Sequence, residues 1–309
     1  MARNYEDEIA YWAEKLFYPV SLKGKVPKKD PTTKKLGTST VKALTSRARI
    51  RAQIARTTQR TPEVMVKITN RLGAGKGMAA IREHLSYISR NGKLELETDT
   101  GELLSDKLSI MEYSHEWKAQ VRGKTIPEVS KRREAFNIIL SMPAGTPEKA
   151  VKDAARAFLE EEFGGKHRYC FTLHTDTDKP HVHACVLAAP VKKGKRLNPR
   201  KPDLQRWREG FAEQLRDIGI DANATPRRTR GVTNPSLKQS GHHLRKRQSM
   251  TFGHLDSNTA RFQDCNVSIE AWKRLATALR VIPSESNDNA AESIEAFIAS
   301  PVRTSPRKR

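Results

Sequence analysis

The stretch HTDTDKPHVH, from His174 to His183, gathers three histidines and two aspartates within ten residues. His181 and His183 are separated only by Val182. On a β-strand successive side chains alternate faces, so the two imidazoles share one face and Val182 takes the other. His174 ends the preceding apolar run RYCFTLH, and the short TDTDKP segment turns the chain back, so a hairpin sets His174 beside the pair. Three imidazoles on one sheet face form a ligand set for a divalent metal, with the remaining positions open to water or substrate. Asp176 is placed to orient a histidine or to take a proton. Imidazole suits zinc, manganese, nickel or iron, whereas magnesium normally asks for more oxygen ligands.

The elements that must carry this cluster are legible around it. EVMVKIT (63–69) alternates as a strand, and FNIILSMP (136–143) is a strongly apolar one. RYCFTLH (168–174) and HVHACVLAAP (181–190) flank the histidine motif as two more, and KLELET (93–98) reads as a further strand. MAAIREHLSYISRNG places Met78, Ile81, Leu85 and Ile88 at helical spacing and stops at Asn91-Gly92. Thr146 and Pro147 are expected to open a helix as N-cap and first residue, with Val151, Ala154, Ala155, Phe158 and Leu159 buried and Gly164 at its end. DLQRWREGFAEQLRDIG (203–219) is another helix. The fold class expected is α+β: a mainly antiparallel central sheet flanked by helices, with basic N- and C-terminal extensions.

The 309 residues carry a formal net charge of +22. That excess calls for a polyanionic partner, nucleic acid first and an anionic membrane surface second. No apolar run approaches the ~20 residues of a membrane-spanning helix, and no secretory signal opens the chain, so no stable membrane insertion is expected. Cys170, Cys185 and Cys265 form no CxxC pair and no disulfide framework, which points to a reducing cytoplasm. RLGAGKG (71–77) is a flexible loop without the GxxxxGK[ST] pattern of a phosphate-binding loop.

The sequence divides into an N-terminal extension (1–61), a central domain (62–232) and a C-terminal region (233–309). A helix at 5–17 precedes a basic linker, and STVKALTSRARIRAQIARTTQR (39–60) reads as a basic helix that orders on DNA. Beyond 225 the core pattern fades: TPRRTRGVTNPSLKQSGHHLRKRQSM carries seven Lys/Arg and no acid. One helix is expected at 268–281, and a disordered basic tail, RTSPRKR, closes the chain. The loop residues Lys192, Lys193, Lys195 and Arg196 and the run Arg227, Arg228 and Arg230 have no acidic neighbours and are expected to neutralise phosphates.

RYCFTLHTDTDKPHVHACVLA closely resembles the third motif of plasmid relaxases. These are HUH endonucleases, named for a His–hydrophobic–His element that here is His181-Val182-His183. HLSYISRNGKLELE (84–97) resembles the first motif, around the nucleophilic tyrosine of relaxases similar to the Agrobacterium T-DNA border endonuclease type. FNIILSMPAGT (136–146) resembles the second motif, and 197–231 the segment that follows. The resemblance covers roughly 62–232, with its motifs in the family's order. It implies a metal-dependent, strand-specific nick at an origin of transfer. Tyr87 would attack the scissile phosphate, leaving a 5′-phosphotyrosyl protein and a free 3′-hydroxyl. A tyrosine hydroxyl ordinarily titrates near about 10 and needs help at neutral pH. The expected help is a metal, magnesium or manganese first and zinc second, held by His174, His181 and His183, with Asp176 or a metal-bound water as proton acceptor.

The resemblance also implies that Ser141 contacts DNA near the cut, that the substrate is single-stranded, and that accessory relaxosome proteins and a type IV secretion coupling protein are partners. The bacterial cytoplasm is the expected location, with export to a recipient cell on the DNA; the basic tail Arg303, Arg307, Lys308 and Arg309 would be the signal. No helicase segment is expected after 232, so unwinding would come from a separate enzyme. Tyr113, in MEYSHEW, is the reserve nucleophile, and His84 and Arg90, one turn either side of Tyr87, are read as solvated helix surface. Three other functions stay open: an HUH replication initiator, which usually places its tyrosine after the histidine pair; a non-catalytic DNA-binding accessory factor with a structural metal; and a nuclease or phosphatase that uses water.

Overall fold

A computed structural model describes residues 5–17, 47–70, 77–119, 125–192, 194–230 and 259–300. The basic linker, most of the RLGAGKG loop, Lys193, the stretch 231–258 and the basic tail lie outside the described residues. The chain divides into two compact units, Pro62–Ala224 and a second drawn from Met1–Thr61 together with Thr225–Arg309.

The first unit is built on a six-stranded sheet in which every pair runs antiparallel. Its strands are β1 (Met65–Ile68), β2 (Leu96–Thr98), β3 (Leu103–Leu104), β4 (Ala135–Ser141), β5 (His167–His174) and β6 (His181–Pro190). Their spatial order is β1-β4-β6-β5-β2-β3, so the expected hairpin of β5 and β6 forms the centre. The α+β class expected from the sequence is what the sheet and its helices show.

Strand alternation divides the side chains between two faces. Phe136, Ile138 and Leu140 of β4, Tyr169 and Phe171 of β5, and Val182, Ala184, Val186 and Ala188 of β6 point to one face, where they join one apolar cluster. Two helices seal it. These are Glu148–Phe163, which contributes Val151, Ala155, Phe158 and Leu159, and Lys201–Asp217, which contributes Trp207, Phe211 and Leu215. Each buried Val, Leu, Ile or Phe among them stabilises the fold by about 1.5–3 kcal/mol relative to exposure. The opposite face carries Cys170, Thr172, His174, Ser141, His181, His183 and Cys185. Part of it is covered by helix Met78–Ile88 and helix Lys107–Ala119, through Met78, Ile81, Leu85, Ile88, Ile110, Tyr113 and Trp117.

Several local expectations shift. The helix expected to start at Thr146-Pro147 begins one residue later: Pro147 is its N-cap, and the Thr146 hydroxyl donates to the Pro143 carbonyl instead of capping. The strand expected at 93–98 is only Leu96–Thr98, because the backbone of 89–94 is wound into a turn, with Leu94 N–H donating to Ser89 O. In that turn Arg90, Asn91 and Gly92 all take left-handed backbone, φ 53°, 59° and 84°. Only glycine fits the last position, since a Cβ at Gly92 would lie 2.5 Å from the Lys107 nitrogen. Helix Lys107–Ala119, not expected from the sequence, starts there, capped by Asp106, whose carboxylate accepts from Leu108 N and Ser109 N at 2.7 and 2.9 Å.

The second unit is helical. It comprises α1 (Tyr5–Phe17), α2 (Arg47–Thr58), α7 (Thr259–Val281) and α8 (Glu285–Ala299), α3 to α6 being the four helices of the first unit in chain order. Ile9, Ala13 and Leu16 of α1, Ile50 and Ile54 of α2, Trp272, Leu275 and Leu279 of α7, and Ala291 and Ile294 of α8 make one core. The two stretches expected as separate basic extensions thus share a core here, α7 starts earlier than the expected 268, and α8 had no counterpart in the sequence reading. The first unit closes at Ala224 where 232 was expected, with Glu63 bridging to Asn223.

Candidate active site

The register of the central strands sets the chemistry. Directly opposed residues of antiparallel strands share a face, and Ser141 pairs with His181, His174 with His181, and Thr172 with His183. The three histidines therefore meet: ring centroids are 4.5 Å apart for His174 and His183, 5.1 Å for His181 and His183, and 5.4 Å for His174 and His181. One ligand nitrogen from each lies within 4.8 Å of the others.

Hydrogen bonds fix which nitrogens face inward. His174 Nε2 donates to the Ile88 carbonyl at 2.6 Å, and His181 Nδ1 donates to the Lys179 carbonyl at 3.0 Å. A carbonyl only accepts, so these nitrogens carry the protons; Nδ1 of His174 and Nε2 of His181 are left as lone-pair ligands. Burial, followed by the neighbouring His174, pushes His183 down to about 3, and burial chiefly lowers His174 as well. Rings held neutral are what a metal requires. The donor set fits a first-row divalent ion, with three positions at most supplied by this cluster.

Tyr87 stands on the last turn of α3 with its ring edge-on to His183, centroids 6.0 Å apart. It is 55% exposed, so its hydroxyl is not sequestered in the core. The Ile88 carbonyl that accepts from His174 is the next residue along, so the helix carrying Tyr87 is tied directly to the cluster. Tyr113 is no reserve. It is 4% exposed, its hydroxyl donates to Asp99 and to the Tyr169 carbonyl, and burial pushes its phenol upward.

Two residues read as solvated surface belong to this site. His84 stacks on Tyr87 with centroids 6.3 Å apart, its Nε2 is buried with no partner among the described residues, and burial pushes it down to about 4. Arg90 lies over the Tyr87 ring, 5.7 Å from its centroid, and forms an ion pair with Asp176. Helical spacing alone, i and i+3 on either side of Tyr87, was the signal available for both. Asp176, expected to orient a histidine or accept a proton, is exposed and engaged by Arg90 instead.

The remaining expected contacts are scattered. Ser141 shares the histidine face, but it is 4% exposed and its hydroxyl donates to the Met142 carbonyl at 3.3 Å. Lys192 and Lys195 are exposed after β6. Arg196, expected to grip DNA, is committed to the protein: it donates to the Arg133 carbonyl and to Glu134, both at 2.6 Å. Arg227, Arg228 and Arg230 belong to the helical unit, Arg227 exposed and the other two half-buried.

The sheet face thus brings three convergent imidazoles that could hold a metal ion beside an exposed tyrosine at its edge. Residues 87–220 match the family described as "Relaxase: MobA/VirD2-like, nuclease domain". Among curated relatives, it is 27% identical over 186 residues to the T-DNA border endonuclease VirD2 of Rhizobium radiobacter, covering 55% of this chain and 43% of that protein. The VirD2 protein of Agrobacterium fabrum (strain C58) is 26% identical over 63% of this chain and 45% of its own. That of Rhizobium rhizogenes is 29% identical over 52% and 40% respectively. The chain thus spans less than half the length of these relatives. A solved structure described as "Molecular Basis of Vancomycin Resistance Transfer in Staphylococcus aureus" aligns with 53% of this chain and 98% of its own, at 13% identity and a TM-score of 0.33.

Proposed function

We propose that this chain nicks one DNA strand at an origin of transfer, initiating conjugative transfer or mobilisation, with Tyr87 as nucleophile. The observation that carries this reading is the exposed Tyr87 ring set edge-on to His183 at the open end of the histidine face. The Tyr87 Oη would form a new bond to phosphorus as the bond to the 3′ oxygen breaks. One phosphodiester replaces another, so no ATP is consumed and the strand can be rejoined. The phenolic proton departs to solvent at the exposed mouth of the site. His174, His181 and His183 would hold a divalent ion, manganese, magnesium or zinc, whose chemistry is to orient the phosphate and offset the charge that builds on it.

Lys192, Lys193 and Lys195, and Arg227, Arg228 and Arg230, are proposed phosphate contacts, which would make binding to single-stranded DNA weaken steeply with salt. Ser141 would serve by packing beside His181 more than by touching DNA. Accessory relaxosome proteins, a type IV secretion coupling protein, and a cytoplasmic life ending in export on the DNA complete the proposal. None of the described helices is long and apolar enough to cross a membrane.

The test is a covalent-adduct assay. Purified protein with Mn²⁺ or Mg²⁺ is mixed with single-stranded oligonucleotides tiled across the DNA flanking its own gene, then denatured and resolved by size. A shifted protein–DNA band that vanishes with Tyr87→Phe and with EDTA is expected. Cleavage without a band would instead establish a water-using nuclease, and tight binding without cleavage an accessory factor.

A further inference from the structure

The turn after α3 places an arginine where glycine would sit without strain: Arg90 has φ 53°. Strained backbone of this kind persists when the side chain it presents is needed. The guanidinium lies 5.7 Å from the Tyr87 ring centroid. Through Nη2 it pairs with Asp176, on the loop that links His174 to His181, and its Nε and Nη1 make no hydrogen bond among the described residues. Its side chain is 40% exposed beside Tyr87. Arg90 is also among the charges that press on His174 and His183, after burial, which places it at the edge of the cluster. A planar fork with one side occupied by a carboxylate and the other open is the arrangement that receives a phosphate oxygen.

We propose that Arg90 is a catalytic residue of the nicking reaction, its guanidinium holding a nonbridging oxygen of the scissile phosphate beside Tyr87. Asp176 is then the positioning residue that aims Arg90, and it takes no proton from Tyr87. This inference rests on the nicking function proposed above. It accounts for the ion pair that removes Asp176 from the role of base. It also explains why Arg90 is fixed in left-handed backbone rather than left to follow the helix surface.

The measurement is a double-mutant cycle on the single-turnover rate of adduct formation at saturating oligonucleotide, with wild type, Arg90→Gln, Arg90→Lys, Asp176→Asn and the Arg90→Gln/Asp176→Asn pair. Thermal melts confirm that each variant folds. Arg90→Gln should slow the reaction about 100-fold, and Asp176→Asn about tenfold. The double variant should match Arg90→Gln, because an aspartate that acts only through Arg90 has nothing left to position. Arg90→Lys should recover part of the loss, since the charge remains without the fork. Losses that multiply in the double variant would make Asp176 an independent participant and overturn the assignment. An Arg90→Gln variant reacting within about threefold of wild type would do the same. If the wild type forms no adduct with any oligonucleotide, the nicking function itself falls, and this inference with it.

Discussion

The two faces of the central sheet are made by the same strands, residue by residue, and they end in opposite states. On one, Val182, Ala184, Val186 and Ala188 are all fully buried under α5 and α6. On the other, the neighbours of those residues include His181, His183 and Cys185, and only part of the face is covered. At the covered end Cys170 and Cys185 sit in an apolar cluster; at the other, Tyr87 is exposed beside the three imidazoles, of which His174 and His183 are themselves buried. A single alternating strand such as HVHACVLA therefore supplies rigidity and reactivity at once. The imidazoles of His181 and His183 are held in place by the burial of Val182 and Ala184 beside them.

That comparison can be broken from either side. The largest effect is expected at the open face. His183→Ala should cut adduct formation on the order of a thousandfold, while the melting temperature of the metal-free protein changes by only a few degrees. A comparable loss of stability would show that His183 serves the fold as much as the site. The sealed face should answer in reverse: Val182→Ala should cost about 2–3 kcal/mol in urea unfolding, with the single-turnover rate within a few-fold of wild type. A collapse of the rate in a folded Val182→Ala protein would mean that the two faces are not separable.

A smaller effect concerns acid. His84 titrates near 4 in the folded protein against 6.5 for an ordinary histidine. The unfolded chain therefore takes up a proton first, and stability contributed by the neutral ring is lost as pH falls from about 6.5 to about 4. His84→Gln should remove about 1–2 kcal/mol of that acid loss, read as a flatter plot of unfolding free energy between those pH values. An unchanged slope would contradict it. The smallest effect lies behind the sealed face, on α6. Burial raises Glu209 to about 7 from a reference of 4.5, so its contribution declines as pH rises through that window. Glu209→Gln should leave stability unchanged at pH 5 and add about 1 kcal/mol at pH 8. Equal effects at both pH values would place the cause elsewhere.

Period-two patterns survived the passage from sequence to structure best. β4, β5 and β6 were legible because their apolar residues alternate, and the histidine set was legible for the same reason. Tyr87 was legible through the motif around it. Helix α4 carried its own signal, Ile110, Tyr113 and Trp117 at helical spacing behind the capping residue Asp106. That signal is diluted because Leu108 and Met111 of the same helix are exposed, so its apolar residues do not fall on one face. Helix α8 mixes its acids with Ala291, Ile294, Phe297 and Ile298, and its apolar side is settled by packing against α7. Arg90 and Asp176 are separated by 86 positions, and no local spacing reveals that the turn after α3 meets the loop after β5.

The helical unit draws its core from both sides of the nuclease domain in the chain, and this has a consequence for synthesis. Helices α1 and α2 are translated before that domain, and their packing partners α7 and α8 after it, with roughly 200 residues between Thr58 and Thr259. At about 5–20 residues per second the wait lasts roughly 10–40 s. Throughout it Ile9, Leu16, Ile50 and Ile54 have none of their final neighbours from Trp272, Leu275 or Ile294. The nuclease domain, contiguous from 62 to 224, can meanwhile complete its own sheet. The order of assembly is thus written into the topology: the sheet domain can mature first, while α1 and α2 wait for translation to bring α7 and α8.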